Sequence, residues 1–96
     1  MNNVLVVGIF NDMNKNDIEL IKIAKSKNMI TKVALLSDEY LRTENGTYYN
    51  YDNRFNKVMN KIDFGDEIIK QNDFFIDSII KERNINIVIT DLLVHM

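Results

Sequence analysis

The sequence of 96 residues contains no cysteine, no proline and no tryptophan, and only three glycines. A chain without cysteine forms neither disulfides nor thiolate metal sites, and an intracellular setting is the expectation for it. No apolar run approaches the ~20 residues that a membrane-spanning helix needs, and the first ten residues lack the basic region and the cleavage pattern of a signal peptide. We therefore expect a cytoplasmic protein with no membrane partner.

An excess of charge of one sign is also lacking. Twelve basic and fourteen acidic residues are interspersed along the chain and give a net charge of −2. Without a basic block, nothing in the sequence favours nucleic acid as a partner. The length suits one domain with one core, which the scattered methionines are predicted to help fill. The one histidine, His95, has no partner near it in the sequence and is given no catalytic role.

Apolar segments alternate with segments of helical periodicity. Strands are predicted at Asn3–Ile9, Thr31–Ser37, Asp66–Lys70 and Asn86–Thr90, helices at Asp17–Lys27, from Asp52 and from Asp73, and a loop over Asp38–Asn50. The first helix is expected to be capped by Asn16 or Asp17 and to turn one apolar face to the sheet, formed by Ile18, Leu20, Ile21, Ile23 and Ala24.

This order of elements predicts a fold. The crossovers between strands are long enough for parallel pairing and are right-handed by default. We expect a single doubly wound, Rossmann-like α/β domain with a parallel sheet and helices on both faces. The second and third strands are predicted to lie on one side of the first strand, and the fourth strand on the other.

The stretch from Val4 to Asp17 is the candidate site. An apolar strand runs into Gly8, and a short polar segment leads from there into the first helix. The backbone N–H groups at the start of a helix are unpaired and lie at the positive end of the helix dipole, so this turn is suited to a phosphate group.

Several short segments of the chain, in register over some eighty residues, are similar to one family. Gly8 to Asn11 stands where that family has G-T-F-D, and Val33 to Tyr40 is similar to a strand that ends in S-T-D-E-F. Tyr51 to Arg54 matches Y-x-x-R, Gly65 to Ile69 matches V-D-E-V-I, and Arg83 to Ile89 resembles H-N-I-D-V-F-V. The chain thus resembles a cytidylyltransferase of the glycerol-3-phosphate type, within the HxGH nucleotidyltransferases.

The resemblance implies a site and its ligands. By this resemblance, an active member would use CTP and Mg²⁺. The nucleotide or phosphate would then contact residues of the turn after the first strand, namely Gly8, Ile9, Phe10, Asn11, Asn14 and Lys15. In the family, two histidines of H-x-G-H stabilise the charge that develops as pyrophosphate leaves.

The residues at these positions argue against that chemistry. Asn14 and Asp17 replace the two histidines, and a carboxylate at position 17 opposes a polyphosphate. Asn11 replaces the family's aspartate, and Asp63 replaces an arginine.

Other parts of the family's site are changed as well. Residues 43–45 replace loop lysines and leave only Arg42, and residues 90–94 depart from G-D-D-W. The family's R-T-x-G-I-S-T segment is not found before Met96, so the domain is expected to be a C-terminally truncated version. We predict a catalytically degenerate homologue that retains weak nucleotide or phosphate binding.

Two alternatives remain open at this point. The first is an active enzyme that transfers CMP from CTP to a small phosphorylated alcohol. The second is a non-catalytic α/β interaction module with no nucleotide history, whose acidic groups would cluster at the ends of the strands.

Several residues have a second, plainer interpretation. Asp12, Asp17 and Asp38 could hold Mg²⁺, although an aspartate at a helix start is more often a cap. Lys15 could bind phosphate, although a lysine in a polar turn is more often simply solvated.

Self-association is the last expectation. In the resembled family the Y-x-x-R segment lies in or near a dimer contact, and Tyr51 and Arg54 are retained here. Tyr48, Tyr49 and Tyr51 could stack on a base, but they are expected to pack at a subunit contact instead. We predict a two-fold homodimer centred on residues 40 to 55.

Overall fold

The computed structural model describes residues 2–41, 48–72 and 76–90 of the chain. In chain order the elements are β1 (Asn3–Gly8), α1 (Lys15–Lys25), β2 (Ile30–Leu36), α2 (Asp38–Leu41), α3 (Tyr51–Met59), β3 (Glu67–Gln71), α4 (Asp77–Glu82) and β4 (Ile85–Thr90). None of the helices in these ranges is long and apolar enough to cross a bilayer.

The four strands form one parallel sheet in the order β3-β2-β1-β4. The predicted topology is therefore confirmed. β1 lies inside the sheet because its residues are apolar on both faces, and Val4, Leu5 and Val6 have no exposed surface. Val6 pairs with Val33 of β2 on one side and with Ile89 of β4 on the other.

Two apolar layers cover the sheet, one on each face. On the α1 face, Val4, Val6, Val33 and Leu35 pack against Leu20, Ile21 and Ala24 of α1 and Val58 of α3. On the α4 face, Leu5, Val7, Ala34 and Ile69 pack with Ile79 of α4. Helices on both faces make this a doubly wound, Rossmann-like α/β domain, as predicted from the alternation of elements.

The segment boundaries differ from the predictions by one to a few residues, and two of these differences bear on the candidate site. α1 begins at Lys15 rather than Asp17, and its N-cap is Asn14 rather than Asn16 or Asp17. Ile23 was predicted to face the core, but its side chain is 39% exposed. The predicted loop over Asp38–Asn50 begins with a short helix, α2. Residues 42–47, 73–75 and 91–96 lie outside the described ranges, and with them Arg42, the predicted cap Asp73 and His95.

Asp66 joins three elements at the end of the sheet opposite the candidate site. Its carboxylate accepts hydrogen bonds from the Lys25 side chain at the end of α1 and from the backbone N–H groups of Thr31 (3.0 Å) and Asp63 (2.8 Å). Partial burial alone would raise the pKa of Asp66, but these hydrogen bonds outweigh it and hold that pKa below its ordinary value. The turn before β3 is thereby fixed to α1 and β2.

Candidate functional site

The turn after β1 folds back towards the core. Phe10 has a φ of 52°, in the left-handed region, and its ring is only 1% exposed. A Cβ atom on Gly8 would lie 3.0 Å from that ring, so the absence of a side chain at position 8 makes room for it. Gly8 and Phe10 thus pack together beneath the turn, and Phe10 also lines the cleft described below. Their contact with a nucleotide stays a prediction.

Asn14 and Asp17 bind each other at the start of α1. The Asn14 Oδ1 atom accepts a hydrogen bond from the Asp17 N–H (3.0 Å), and the Asp17 carboxylate accepts one from the Asn14 N–H (3.3 Å). This reciprocal pair is a capping box. The carboxylate also supplies the negative charge that the helix dipole favours at this position. Asn14 and Asp17, which the sequence resemblance aligned with the two histidines of H-x-G-H, therefore cap the helix start with groups of the chain itself.

Arg54 lies under the turn and is completely buried. Its guanidinium donates to the carbonyl oxygen of Tyr49 (2.8 Å), to that of Ile9 (3.2 Å) and to the carboxylate of Asp38 (3.0 Å). The side chain thus connects the end of β1, the start of α2 and the approach to α3. No surface of the guanidinium is left for a second subunit in this fold, while the predicted homodimer itself stays a prediction.

Lys57 reaches the outer side of the same turn. Its Nζ atom donates to the Asn11 carbonyl oxygen (3.2 Å) and lies 3.9 Å above the centre of the Tyr49 ring. Tyr49 in turn donates its backbone N–H to the Asn11 side chain (2.7 Å). Lys57 was not among the residues predicted from the sequence. Its position three residues after Arg54, on the same side of a helix, could have indicated that it also lies near this turn.

A cleft of about 210 Å³ opens beside this turn. It is lined by Ile9, Phe10, Asn11, Asp12, Asn14, Asp17 and Tyr48. Its lining includes the acidic residues Asp12 and Asp17, and no lysine or arginine in the described ranges lines it. Within the described ranges the lining is therefore acidic and lacks basic residues, which is unfavourable for a polyphosphate.

The remaining candidates are Lys15 and the three aspartates that were considered as Mg²⁺ ligands. Lys15 is exposed on the first turn of α1, outside the lining of the cleft. Within the part of the chain that the structure describes, no three carboxylates or histidines come together in a group suited to a metal ion. Asp38 binds Arg54, as described above, rather than joining Asp12 and Asp17.

Tyr51 is half-buried on the surface of α3. Its ring lies 5.9 Å from that of Phe55, with the Arg54 guanidinium carbon 5.8 Å and the Lys70 Nζ atom 5.0 Å from its centre. Partial burial raises the pKa of the Tyr51 hydroxyl, against the opposing effect of Arg54. Both residues of the Y-x-x-R segment therefore contact their own subunit, and the exposed tyrosines of this region are Tyr48 and Tyr49.

The sheet order and the two helical layers define the chain as a Rossmann-like α/β domain. No protein-family profile and no curated protein matches its sequence. Solved structures do match. One of them is the crystal structure of the lipopolysaccharide core biosynthesis protein from Thermoplasma volcanium GSS1, with a TM-score of 0.75 and 17% identity over 92% of this chain and 72% of that chain. At this identity the match shows a shared fold.

Proposed function

We propose that this protein is a catalytically degenerate nucleotidyltransferase homologue of the cytidylyltransferase type, which binds nucleotides weakly and transfers no nucleotidyl group. The observation that carries the proposal is the capping box between Asn14 and Asp17. The segments that resemble the family support the relationship. So does the fold shared with a protein named for lipopolysaccharide core biosynthesis.

The chemistry of nucleotidyl transfer explains why the capping box matters. Negative charge grows on the leaving pyrophosphate, and active sites stabilise it with preorganised donors or cations. At the two HxGH positions this chain has an amide oxygen turned towards its own backbone and a carboxylate. Each lost donor of this kind commonly removes about 2.7–4 kcal/mol of transition-state stabilisation, so the loss of two is enough to suppress turnover.

The two alternatives receive less support from the same residues. An active cytidylyltransferase needs a positively lined cleft, and the described lining carries two carboxylates. An interaction module with no nucleotide history was expected to gather its acidic groups at the strand ends. Two of them, Asp12 and Asp17, line the cleft after β1, but in the described ranges no three acidic residues form a group that could hold a metal ion.

Pyrophosphate release tests the absence of transfer. The purified chain is incubated with CTP, Mg²⁺ and glycerol 3-phosphate, and we expect no pyrophosphate above the protein-free background. An Asn14→Ala variant serves as the control, because of the two residues that replace the histidines only Asn14 has a side-chain N–H that can donate a hydrogen bond. Release by the natural chain that falls in this variant would show that the site is active and would overturn the proposal.

A further inference from the structure

The outer edge of β4 is apolar and exposed on both faces of the sheet. β4 is the last strand in the order β3-β2-β1-β4, so in the described part of the chain no strand pairs with its outer side. The side chains of Ile87 and Val88 are 38% and 39% exposed. Ile87 pairs with Val4 and lies on the α1 face, whereas Val88 pairs with Leu5 and lies on the α4 face. A single helix could cover only one of these two side chains.

α1 adds a third apolar side chain to the same edge. Lys25 of α1 points towards the β3 side of the domain, where it binds Asp63 and Asp66. Ile23 is two residues earlier, so it lies about 200° away around the helix, on the side of α1 that faces away from β3. It is one of the exposed large apolar residues of the described chain. We define Ile23, Ile87 and Val88 as the β4 edge surface.

The two edges of the sheet differ in charge. β3, at the opposite edge, carries Glu67 and Lys70, and Glu67 forms ion pairs with Lys32 and Arg83. β4 has the sequence INIVIT, with no charged residue. Natural edge strands usually carry charges, prolines or bulges that prevent pairing with another chain. The one bulge of β4 lies at its beginning, next to Asn3, and leaves Ile87 to Thr90 in regular register.

We infer that the β4 edge surface binds a second copy of this chain through an antiparallel β4–β4 pair. A two-fold axis perpendicular to the sheet would place Val88 opposite Val88 of the second copy and Ile87 opposite its Ile89. This register keeps the α1 faces together and the α4 faces together, and it forms a continuous eight-stranded sheet.

A second copy suits this edge better than another occupant because of charge and layering. Self-pairing brings identical strands together, and a strand without charges places no like charges opposite each other. The second copy also brings its own helical layers, which cover the exposed side chains on both faces at once. The interface differs from the one predicted around Tyr51 and Arg54, whose side chains contact their own subunit.

Light scattering over micromolar to millimolar concentrations tests the interface. We expect a concentration-dependent rise towards twice the subunit mass. Val88→Lys should raise the dissociation constant by at least about tenfold, because it places two lysines together on the two-fold axis. Phe64→Lys and Tyr49→Lys are matched controls at exposed aromatic positions away from β4 and should leave the mass unchanged. Circular dichroism checks that each variant is folded.

Cysteine cross-linking gives a second measurement that does not need a disruptive variant. The chain has no native cysteine, so Val88→Cys introduces a single thiol. The introduced cysteine would lie opposite the same cysteine of the second copy. Mild oxidation should therefore yield a covalent dimer much faster than it does with Phe64→Cys. Equal rates, a mass of one subunit at all concentrations, or a dimer that Tyr49→Lys dissociates and Val88→Lys does not, would each overturn the inference.

Discussion

At the scale of single residues, the candidate site is built by side chains that bind their own backbone. Asn14 and Asp17 cap α1, Asn11 binds the Tyr49 N–H, and Phe10 packs inward over Gly8. By the sequence resemblance, these positions correspond to ones that contact a nucleotide in that family. In this structure their side chains stabilise the turn, and Asp17 is the residue whose charge matters most for what the cleft can bind.

Replacing Asp17 by asparagine should improve nucleotide binding. Asp17→Asn removes one negative charge from the cleft and keeps an oxygen that can accept the Asn14 N–H. We expect the dissociation constant for CTP, measured by calorimetry at low salt without metal, to fall about tenfold. The gain should shrink at high salt because the interaction is screened.

Asp52→Asn is the matched control for this experiment. Asp52 also lies in the first turn of a helix, α3, but it is exposed and does not line the cleft. Its replacement should leave CTP affinity unchanged. If both variants gained equally, net charge rather than the cleft would explain the effect, and the role given to Asp17 would be wrong.

At the scale of elements, Arg54 connects β1, α2 and the start of α3. The carbonyl oxygens of Ile9 and Tyr49 both depend on its guanidinium. A planar group with several donors is required to reach carbonyls on different segments together with Asp38, and lysine offers only a single ammonium. The arrangement of the turn relative to α3 therefore rests on this one buried side chain.

Arg54→Met should lower the free energy of unfolding by about 3–5 kcal/mol, because it leaves buried polar groups without their charged partner. Arg54→Lys should recover only part of the loss. Urea denaturation followed by circular dichroism measures both. Lys57→Met is the control on the same helix face, and its half-exposed side chain should cost about 1 kcal/mol. A loss in Arg54→Met no larger than that in Lys57→Met would contradict the structural role of Arg54.

At the scale of the whole molecule, Asp66 and Lys25 link the stability of the domain to pH. The pKa of Asp66 is lower in the folded state than in the unfolded chain. Its contribution to the free energy of unfolding is therefore present above its ordinary pKa of 3.8 and is lost as pH falls through the lower folded value. Burial alone would lower the pKa of Lys25, but its hydrogen bonds to Asp63 and Asp66 outweigh burial and raise that pKa. The stabilisation from Lys25 is therefore lost only as pH rises above its ordinary pKa of 10.5. Between these two pH limits the ion pair of Lys25 with Asp66 stabilises the folded state in full.

Asp66→Asn should therefore change both the stability and its dependence on pH. At neutral pH we expect a loss of about 1–3 kcal/mol, since hydrogen bonds to a charged acceptor are replaced by weaker ones. Below pH 4 the difference between the variant and the natural chain should narrow, because Asp66 is then becoming protonated. Asp63→Asn, at a largely exposed carboxylate, is the control and should show a small effect. If the free energies of unfolding of Asp66→Asn and the natural chain differed by the same amount at every pH, this account would be wrong.

The sequence by itself determined the elements and their order in the sheet. Apolar runs and helical spacing are local properties, and long crossovers restrict parallel strands to few arrangements, so the topology could be predicted without contacts. The capping box was also readable, because Asn14 and Asp17 are three residues apart, although the prediction placed the cap two or three residues too late. Only the tertiary structure decided the burial of Arg54, the reach of Lys57 to Asn11 and the exposure of β4. Arg54 and Ile9 are 45 residues apart in the chain and Lys57 and Asn11 are 46 apart, so no local pattern encodes these contacts. They arise because packing α3 on β2 brings its polar side to the end of β1, where unpaired backbone groups require donors.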